Sequence, residues 1–229
     1  MLIIGIDDAG RGPLIGPMIL AGVLVTKSQD SQYKKRNIRD SKTVLQPERI
    51  KQAEFIKENS IAHKIVQSSP NEIDNSLNTG TNLNTLEAQE AAKIINYLNS
   101  PKYRSEKINV IVDCPSVNTL AWKNTLISFI EHKDNLEFFI EHKADANHPS
   151  VSAASILAKV TREEEVAKIK KKYGDIGSGY PSDPTTKEFL KNHGKDLTNS
   201  GIFRKTWSTW KKLFPSESTQ KGQATLGDF

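Results

Sequence analysis

Short apolar runs recur along the chain and end in acidic or glycine-rich residues, separated by longer polar stretches with apolar residues at helical spacing. Runs of four to eight apolar residues read as buried strands. They occur at residues 2–6 (L-I-I-G-I), 18–25 (M-I-L-A-G-V-L-V), 61–67 (I-A-H-K-I-V-Q), 108–112 (I-N-V-I-V) and 137–140 (E-F-F-I). A helix is predicted from about residue 84, where Leu86, Ala91, Ile94, Ile95 and Leu98 share one face before Pro101 stops it. Another is predicted over 120–132, between the fourth and fifth strands. The longest begins at Pro149, a residue suited to a first helical turn, and keeps helical spacing towards Gly174. Its Glu163, Glu164 and Glu165 precede its lysines by three to five residues, the order that favours ion pairs. After the turn G-S-G-Y-P-S-D-P a short helix is predicted over 185–193. The stretch S-S-P-N-E-I-D-N-S-L-N-T-G-T-N after the third strand reads as a polar connection, and the small polar residues from Pro215 onward as a disordered tail. Strands alternating with helices argue for an α/β fold. No internal repeat is present.

Composition narrows the class. With 229 residues, 36% of them hydrophobic, the chain can bury one good core and a small appended unit. Its one cysteine, Cys114, excludes an internal disulfide framework and fits a reducing compartment, and its apolar neighbours suggest burial. No stretch approaches the roughly 20 apolar residues that span a bilayer, and Met1 leads straight into a strand rather than a cleavable leader. A cytoplasmic protein without membrane contact is expected. With no heptad pattern or apolar surface stripe, a monomer is expected too.

Net charge is +5, gathered in Lys34, Lys35 and Arg36, in Lys168 with Lys170, Lys171 and Lys172, and in Arg204, Lys205, Lys211 and Lys212. Such patches permit attraction to a polyanion. The second patch also lies in the last turns of the long helix, where lysines complement the dipole.

The acids carry the chemistry. Asp7 and Asp8 end the first strand, Asp113 ends the fourth, and Asp145 follows the fifth. Each alone could simply end a strand or start a turn. Brought together, they would repel, and such a pocket implies raised pKa values or bound divalent cations. Hard oxygen donors favour Mg²⁺ or Mn²⁺. Beside them, D-D-A-G-R-G-P-L-I-G-P supplies Gly10, Gly12 and Gly16 for positive φ and close backbone approach, and Arg11 as a fixed charge. Such a turn can present amides to a sugar or phosphate. It is neither a Walker A sequence nor a dinucleotide fingerprint. His142 and His148 flank Asp145 and read as structural, while His63, His132 and His193 show no zinc pairing. Trp207 and Trp210, three apart, would share a helical face and anchor the terminal segment.

G-I-D-D-A-G-R-G-P at 5–13, R-D-S-K at 39–42, V-D at 112–113, H-K-A-D-A at 142–146, and then V-S-A-A-S-I-L-A-K-V-T-R and G-S-G-Y-P-S-D-P resemble ribonuclease HII in its archaeal form. The motifs occur in order, over residues 2 to about 210. The resemblance implies a ribonuclease H-like five-stranded mixed sheet flanked by helices, with a C-terminal helical extension. It divides the chain into a catalytic core (1–173), a substrate-contacting extension (174–214) and a flexible tail (215–229). It implies endonucleolytic hydrolysis of the RNA strand of RNA/DNA hybrids and incision 5′ of single ribonucleotides in duplex DNA, leaving 3′-hydroxyl and 5′-phosphate ends. Carried over, Asp7, Asp8, Asp113 and Asp145 are the catalytic carboxylates that hold two Mg²⁺ or Mn²⁺ ions. Gly10, Arg11 and Gly12 form the turn that recognises the 2′-hydroxyl, Tyr180 packs on the neighbouring deoxyribose, and Ser41 and Lys42 lie near the substrate phosphates.

One position departs from the family. Its second acid is usually Glu and is Asp8 here, which shortens reach by roughly 1 Å. The consequence is a backbone shift, binding through water, a preference for Mn²⁺, or weaker activity. A nucleic-acid binding module with a decayed centre is the rival reading. Ribonuclease HIII, with its added N-terminal domain, is not expected where the first strand starts at residue 2. The end of the tail, Q-A-T-L-G-D-F, spaces Gln223, Leu226 and Phe229 three apart and resembles the peptide that docks replication proteins on the sliding clamp, without its second aromatic.

Overall fold

Strands buried on both faces take the centre of a sheet, and here those are the first two apolar runs. In the computed structural model, which describes residues 1–38 and 44–215, β1 (Leu2–Ala9) pairs antiparallel with β2 (Met18–Thr26) and parallel with β4 (Ile108–Asp113). The half-buried strands β3 (Ala62–Ser68) and β5 (Leu136–Glu141) form the edges, in the order β3-β2-β1-β4-β5. This is the expected five-stranded mixed sheet, with every strand at its predicted place.

Alternation divides the sheet residues between two layers. Leu2, Ile4, Ile6, Leu20, Val110 and Val112 pack under α4 (Leu83–Leu98) and α5 (Thr119–Ser128). Ile3, Ile19, Ala21, Val23 and Ile111 pack under α1 (Lys27–Lys35), α2 (Gln46–Asn59) and the first half of α7 (Pro149–Tyr173). The start of α7 lies so close to β1 that a Cβ on Gly5 would meet Ser150 O at 2.5 Å and Val151 N at 2.6 Å. Only glycine allows this approach. No side chain of His148 caps α7; instead Asp30 of α1 accepts from the Ser150 N–H at 2.9 Å. A carboxylate from another helix thus meets its positive end.

Several elements differ from expectation for local reasons. The helix predicted over 120–132 ends at Ser128. Beyond it, Asn96 Nδ2 donates to Phe129 O (3.1 Å), Asn99 Nδ2 donates to His132 O (2.9 Å), and Glu131 N–H donates to Asn96 Oδ1 (3.1 Å). Side chains of α4 thereby claim groups that a continuing helix would use. The polar stretch after β3 folds as α3 (Pro70–Asn78), opened by a capping box of Ser69 and Glu72. α2 was not predicted because its apolar stripe is thin, burying only Ala53 and Ile56. Within α7, Lys168 pairs with Glu165 at 2.6 Å, while Glu163 reaches Arg49 of α2 at 2.5 Å instead of a lysine of its own helix.

A third cluster joins the chain's two ends. Leu14 and Ile15, from the glycine segment, pack with Ile176, Phe189 and Leu190 of the region around α8 (Pro184–His193), and with Phe203 and Trp210 near α9 (Ser208–Leu213). The N–H groups of Leu14 and Ile15 donate to Gly179 O, and that of Gly16 to Ile202 O. Trp210 is buried in this cluster, and Trp207, at the N-cap of α9, packs against it and also donates to the glycine turn. No helix among the described residues is long and apolar enough to cross a membrane.

Candidate metal centre and glycine turn

Strand alternation decides which acids meet. Asp7 follows Ile3 and Gly5 onto the α7 face of β1, and Asp8 follows Ile6 onto the α4 face. On β4, Asp113 follows Ile111 onto the α7 face. Asp145 arrives from α6 (Ala144–Asn147), the short helix between β5 and α7. Carboxylate oxygens of Asp7, Asp113 and Asp145 lie within 4.8 Å of one another. Asp8 is outside that group.

The turn into α6 is held by several contacts. Lys143 is left-handed (φ 56°, ψ 38°), a conformation that costs a non-glycine residue about 1 kcal/mol or more. Asp113 Oδ1 accepts from the Ala144 N–H at 3.1 Å, and Ser152 Oγ of α7 donates to Asp145 O at 2.5 Å. Asp145 is thus placed between β4 and α7. His142 Nδ1 lies 3.2 Å from Cys114 O, and His148 Nε2 lies 2.9 Å from Glu141 Oε2. Both histidines brace backbone or edge strand.

Electrostatics match a site built for a cation. Burial, then the charges of Asp8 and Asp113, hold the Asp7 carboxyl well above its usual range, against a hydrogen bond from Ser155. Asp7 and Asp145 are only 6% and 5% exposed. Buried, mutually repelling oxygen donors fit a hard divalent ion such as Mg²⁺ or Mn²⁺.

On the other face, Asp8 meets a second acid that the sequence reading missed. Burial and then Glu87 push Asp8 up to about 7, opposed by Arg11. Glu87 of α4 is itself buried and pushed up to about 7 by burial, again opposed by Arg11. Arg11 Nε lies 2.9 Å from both Glu87 oxygens, and its Nη2 donates to Asn84 Oδ1 at 2.7 Å. The expected fixed charge of the turn is therefore anchored internally, on α4.

Asp8, Gly10, Arg11, Gly12, Lys159, Arg162 and Tyr180 line a cleft of about 280 Å³. Gly10 has φ +83°, and a side chain there would strike Arg162. Gly12 is not left-handed; its Cβ would stand 3.3 Å from the Tyr180 ring, so aromatic proximity is what favours glycine. The Arg162 guanidinium lies 5.8 Å from the Tyr180 ring centre, and its Nε and Nη2 are buried without a hydrogen-bond partner among the described residues. Lys159 and Arg162 lie within the quoted V-S-A-A-S-I-L-A-K-V-T-R, one turn apart on α7. That spacing was the available signal for both.

Arg204 corrects the third basic patch. Its side chain is fully buried and bonded to backbone carbonyls of the glycine segment, so it is no part of a solvated positive surface. Burial lowers it to about 9. Ser41 and Lys42, and Gln223, Leu226 and Phe229, lie outside the described residues.

Comparison with known proteins agrees with this geometry. The family model described as ribonuclease HII matches residues 4–210. Ribonuclease HII of Pyrococcus furiosus is 42% identical over 232 aligned positions, covering 100% of this chain and 98% of that protein. The crystal structure of ribonuclease H2 from Pyrococcus horikoshii OT3 superposes with a TM-score of 0.82 at 33% identity, covering 93% of this chain and 97% of the other. An Archaeoglobus fulgidus ribonuclease HII solved in complex with PCNA superposes with a TM-score of 0.78 at 33% identity, covering 91% and 96%.

Proposed function

Because the chain belongs to the ribonuclease HII family, we propose that it is an endoribonuclease that cuts the RNA strand of RNA/DNA hybrids and incises 5′ of single ribonucleotides embedded in duplex DNA. The products are 3′-hydroxyl and 5′-phosphate ends, and the biological setting is ribonucleotide excision repair. The observation that carries this reading is the convergence of Asp7, Asp113 and Asp145, from three separate elements, within 4.8 Å. These three, with Asp8 at the adjoining edge, would hold a pair of Mg²⁺ or Mn²⁺ ions. Bound there, the ions supply water activation and stabilisation of the leaving oxygen.

The remaining residues bind and orient. Backbone donors of Gly10, Arg11 and Gly12 meet the 2′-hydroxyl, the group that separates RNA from DNA. Tyr180, 43% exposed at the cleft wall, packs against the neighbouring deoxyribose. Arg162 and Lys159 face backbone phosphates, and the open hydrogen-bonding capacity of Arg162 supports that role. Ser41 and Lys42, on the strength of the R-D-S-K motif, would add phosphate contacts. The core spans 1–173 and the substrate-contacting extension 174–214, acting as a monomer in the cytoplasm.

The tail 215–229 docks on a sliding clamp through Gln223, Leu226 and Phe229. Support comes from the motif and from the relative solved with PCNA. Deleting 223–229 should abolish clamp binding and spare cleavage; retained binding would remove the claim.

The central test is cleavage of a labelled DNA duplex carrying one ribonucleotide, with Mg²⁺ and Mn²⁺ compared. A metal-dependent cut 5′ of the ribonucleotide, lost in Asp113→Asn, is expected. No cut in either metal would end the nuclease reading.

A further inference from the structure

The carbonyls of Gly10, Arg11, Gly12 and Gly16 all have partners from the opposite end of the chain. Arg204 Nη2 donates to Gly10 O at 2.6 Å, Nη1 to Arg11 O at 2.7 Å, and Nε and Nη2 to Gly16 O at 3.1 and 3.0 Å. Trp207 Nε1 donates to Gly12 O at 3.0 Å, and its ring lies 4.9 Å from the Arg204 guanidinium. Asp74 of α3 fastens the intervening residues, accepting from the N–H groups of Lys205 (2.6 Å) and Thr206 (3.0 Å). A buried guanidinium is costly unless its donors are filled. Here every acceptor is a main-chain oxygen of the segment 10–16.

Peptide geometry turns this anchorage into a direction. A trans peptide holds its C=O and N–H on opposite sides of one plane, and no peptide bond among the described residues is cis. The carbonyls of Gly10 and Arg11 face Arg204, so the N–H groups of Arg11 and Gly12, which share those planes, face away from it. The carbonyl of Gly12 faces Trp207, and the peptide it belongs to has no N–H because residue 13 is proline. The turn therefore offers two consecutive donors on its outer side, where Gly10, Arg11 and Gly12 line the cleft with Tyr180.

We propose that Arg204, assisted by Trp207, is a positioning residue for ribose recognition: it fixes the direction of the Arg11 and Gly12 N–H donors by holding their carbonyls. This rests on the ribonucleotide-directed reading above. The planar fork spreads its donors over three nitrogens to reach three carbonyls, whereas a lysine ammonium in its place retains the charge but gathers its donors on one atom.

The test compares wild type, Arg204→Lys and Trp207→Phe. The second variant keeps an aromatic ring near the guanidinium and removes the Nε1–H together with the rest of the five-membered ring. Three readouts are taken: kcat/KM on a duplex with one ribonucleotide, the affinity gap between that duplex and an all-DNA duplex, and Mn²⁺ binding by calorimetry. Arg204→Lys should lower kcat/KM about tenfold or more and narrow the affinity gap. Trp207→Phe should do the same by about threefold. Mn²⁺ binding should stay at the wild-type value in both. If both variants keep the wild-type rate and gap, or lose affinity for the two duplexes equally together with Mn²⁺ binding, the proposal is overturned. Should Arg204→Lys not fold, Trp207→Phe decides by the same criteria. A wild type that cuts no ribonucleotide-containing duplex would instead sink the functional reading, before any variant is compared, and this inference with it.

Discussion

Asp7 and Asp8 share a peptide bond, yet the two faces of β1 provide for them in opposite ways. On the Asp7 side the charges that act on its carboxyl are those of Asp8 and Asp113, and hydrogen bonds from Ser155 and the Asp8 N–H relieve them. On the Asp8 side a second buried acid, Glu87, raises the carboxyl while Arg11 and Lys159 lower it, and Glu87 in turn is offset by Arg11 and Arg204. The charges around Asp7 push its carboxyl up, whereas Asp8 also meets cations that partly offset its acidic neighbours. A period of two along one strand is enough to give adjacent identical residues different neighbours, Asp113 and Asp145 for Asp7 and Glu87 for Asp8.

Substitutions on the two faces should therefore differ in kind. Asp113→Asn removes a carboxylate from the candidate metal cluster and should lower metal-dependent cleavage on the order of 10³-fold in single-turnover assays. Glu87→Gln, on the other face, should cost about tenfold, because it loosens Arg11 without touching a ligand. Equal losses would abolish the distinction. Arg11→Met should act mainly on the fold, since it strands Glu87 without its cation. With Arg11 part-exposed, a loss of about 2 kcal/mol is expected from urea unfolding.

Acidity offers a further test, and its sign follows from the direction of the shifts. Asp7, Asp8 and Glu87 all have raised values in the folded protein. Each group favours folding fully below its ordinary value, 3.8 for Asp and 4.5 for Glu, and that contribution is lost as pH rises through the folded value, about 7 for Asp8 and Glu87. Metal-free protein should drop several degrees in Tm between about pH 4 and about pH 8, and Mn²⁺ should restore most of the loss at the upper end. A flat thermal profile would contradict the burial argument. Smaller again, Asp8→Glu should raise Mg²⁺-dependent turnover a few-fold if the short side chain is a handicap. Unchanged or lower rates would mean that the α4 face already compensates. Smallest of all, His142→Asn should leave turnover within about twofold, since the ring braces the Cys114 carbonyl rather than an acid of the cluster.

Legibility in the sequence followed the range of the forces involved. Strands at 2–6, 18–25 and 108–112 were readable because two-sided burial writes continuous apolar runs. The four acids were readable because they interrupt or follow such runs. Grouping them was harder: alternation separates Asp7 from Asp8, but only the pairing of Ile6 with Val112 shows that Asp113 sides with Asp7. The capping box Ser69-Glu72 stood in plain view, yet the polar body of α3 hid the helix behind it. Glu87 carries no local mark of burial, since its partner Arg11 is distant in the chain. Arg204 was assigned to the surface because arginines usually lie there. Its burial depends on carbonyls near the other end of the chain, which no local pattern encodes.

Cys114, directly after Asp113, is 6% exposed, with its Sγ 3.4 Å from Ser116 O and burial raising its thiol. Alkylating reagents attack the thiolate, so this sulfur should resist them while the end of β4 stays closed. As the sole cysteine of the chain, it makes the unmodified protein its own reporter: the speed of alkylation clocks how often the strand end beneath the acids breathes open.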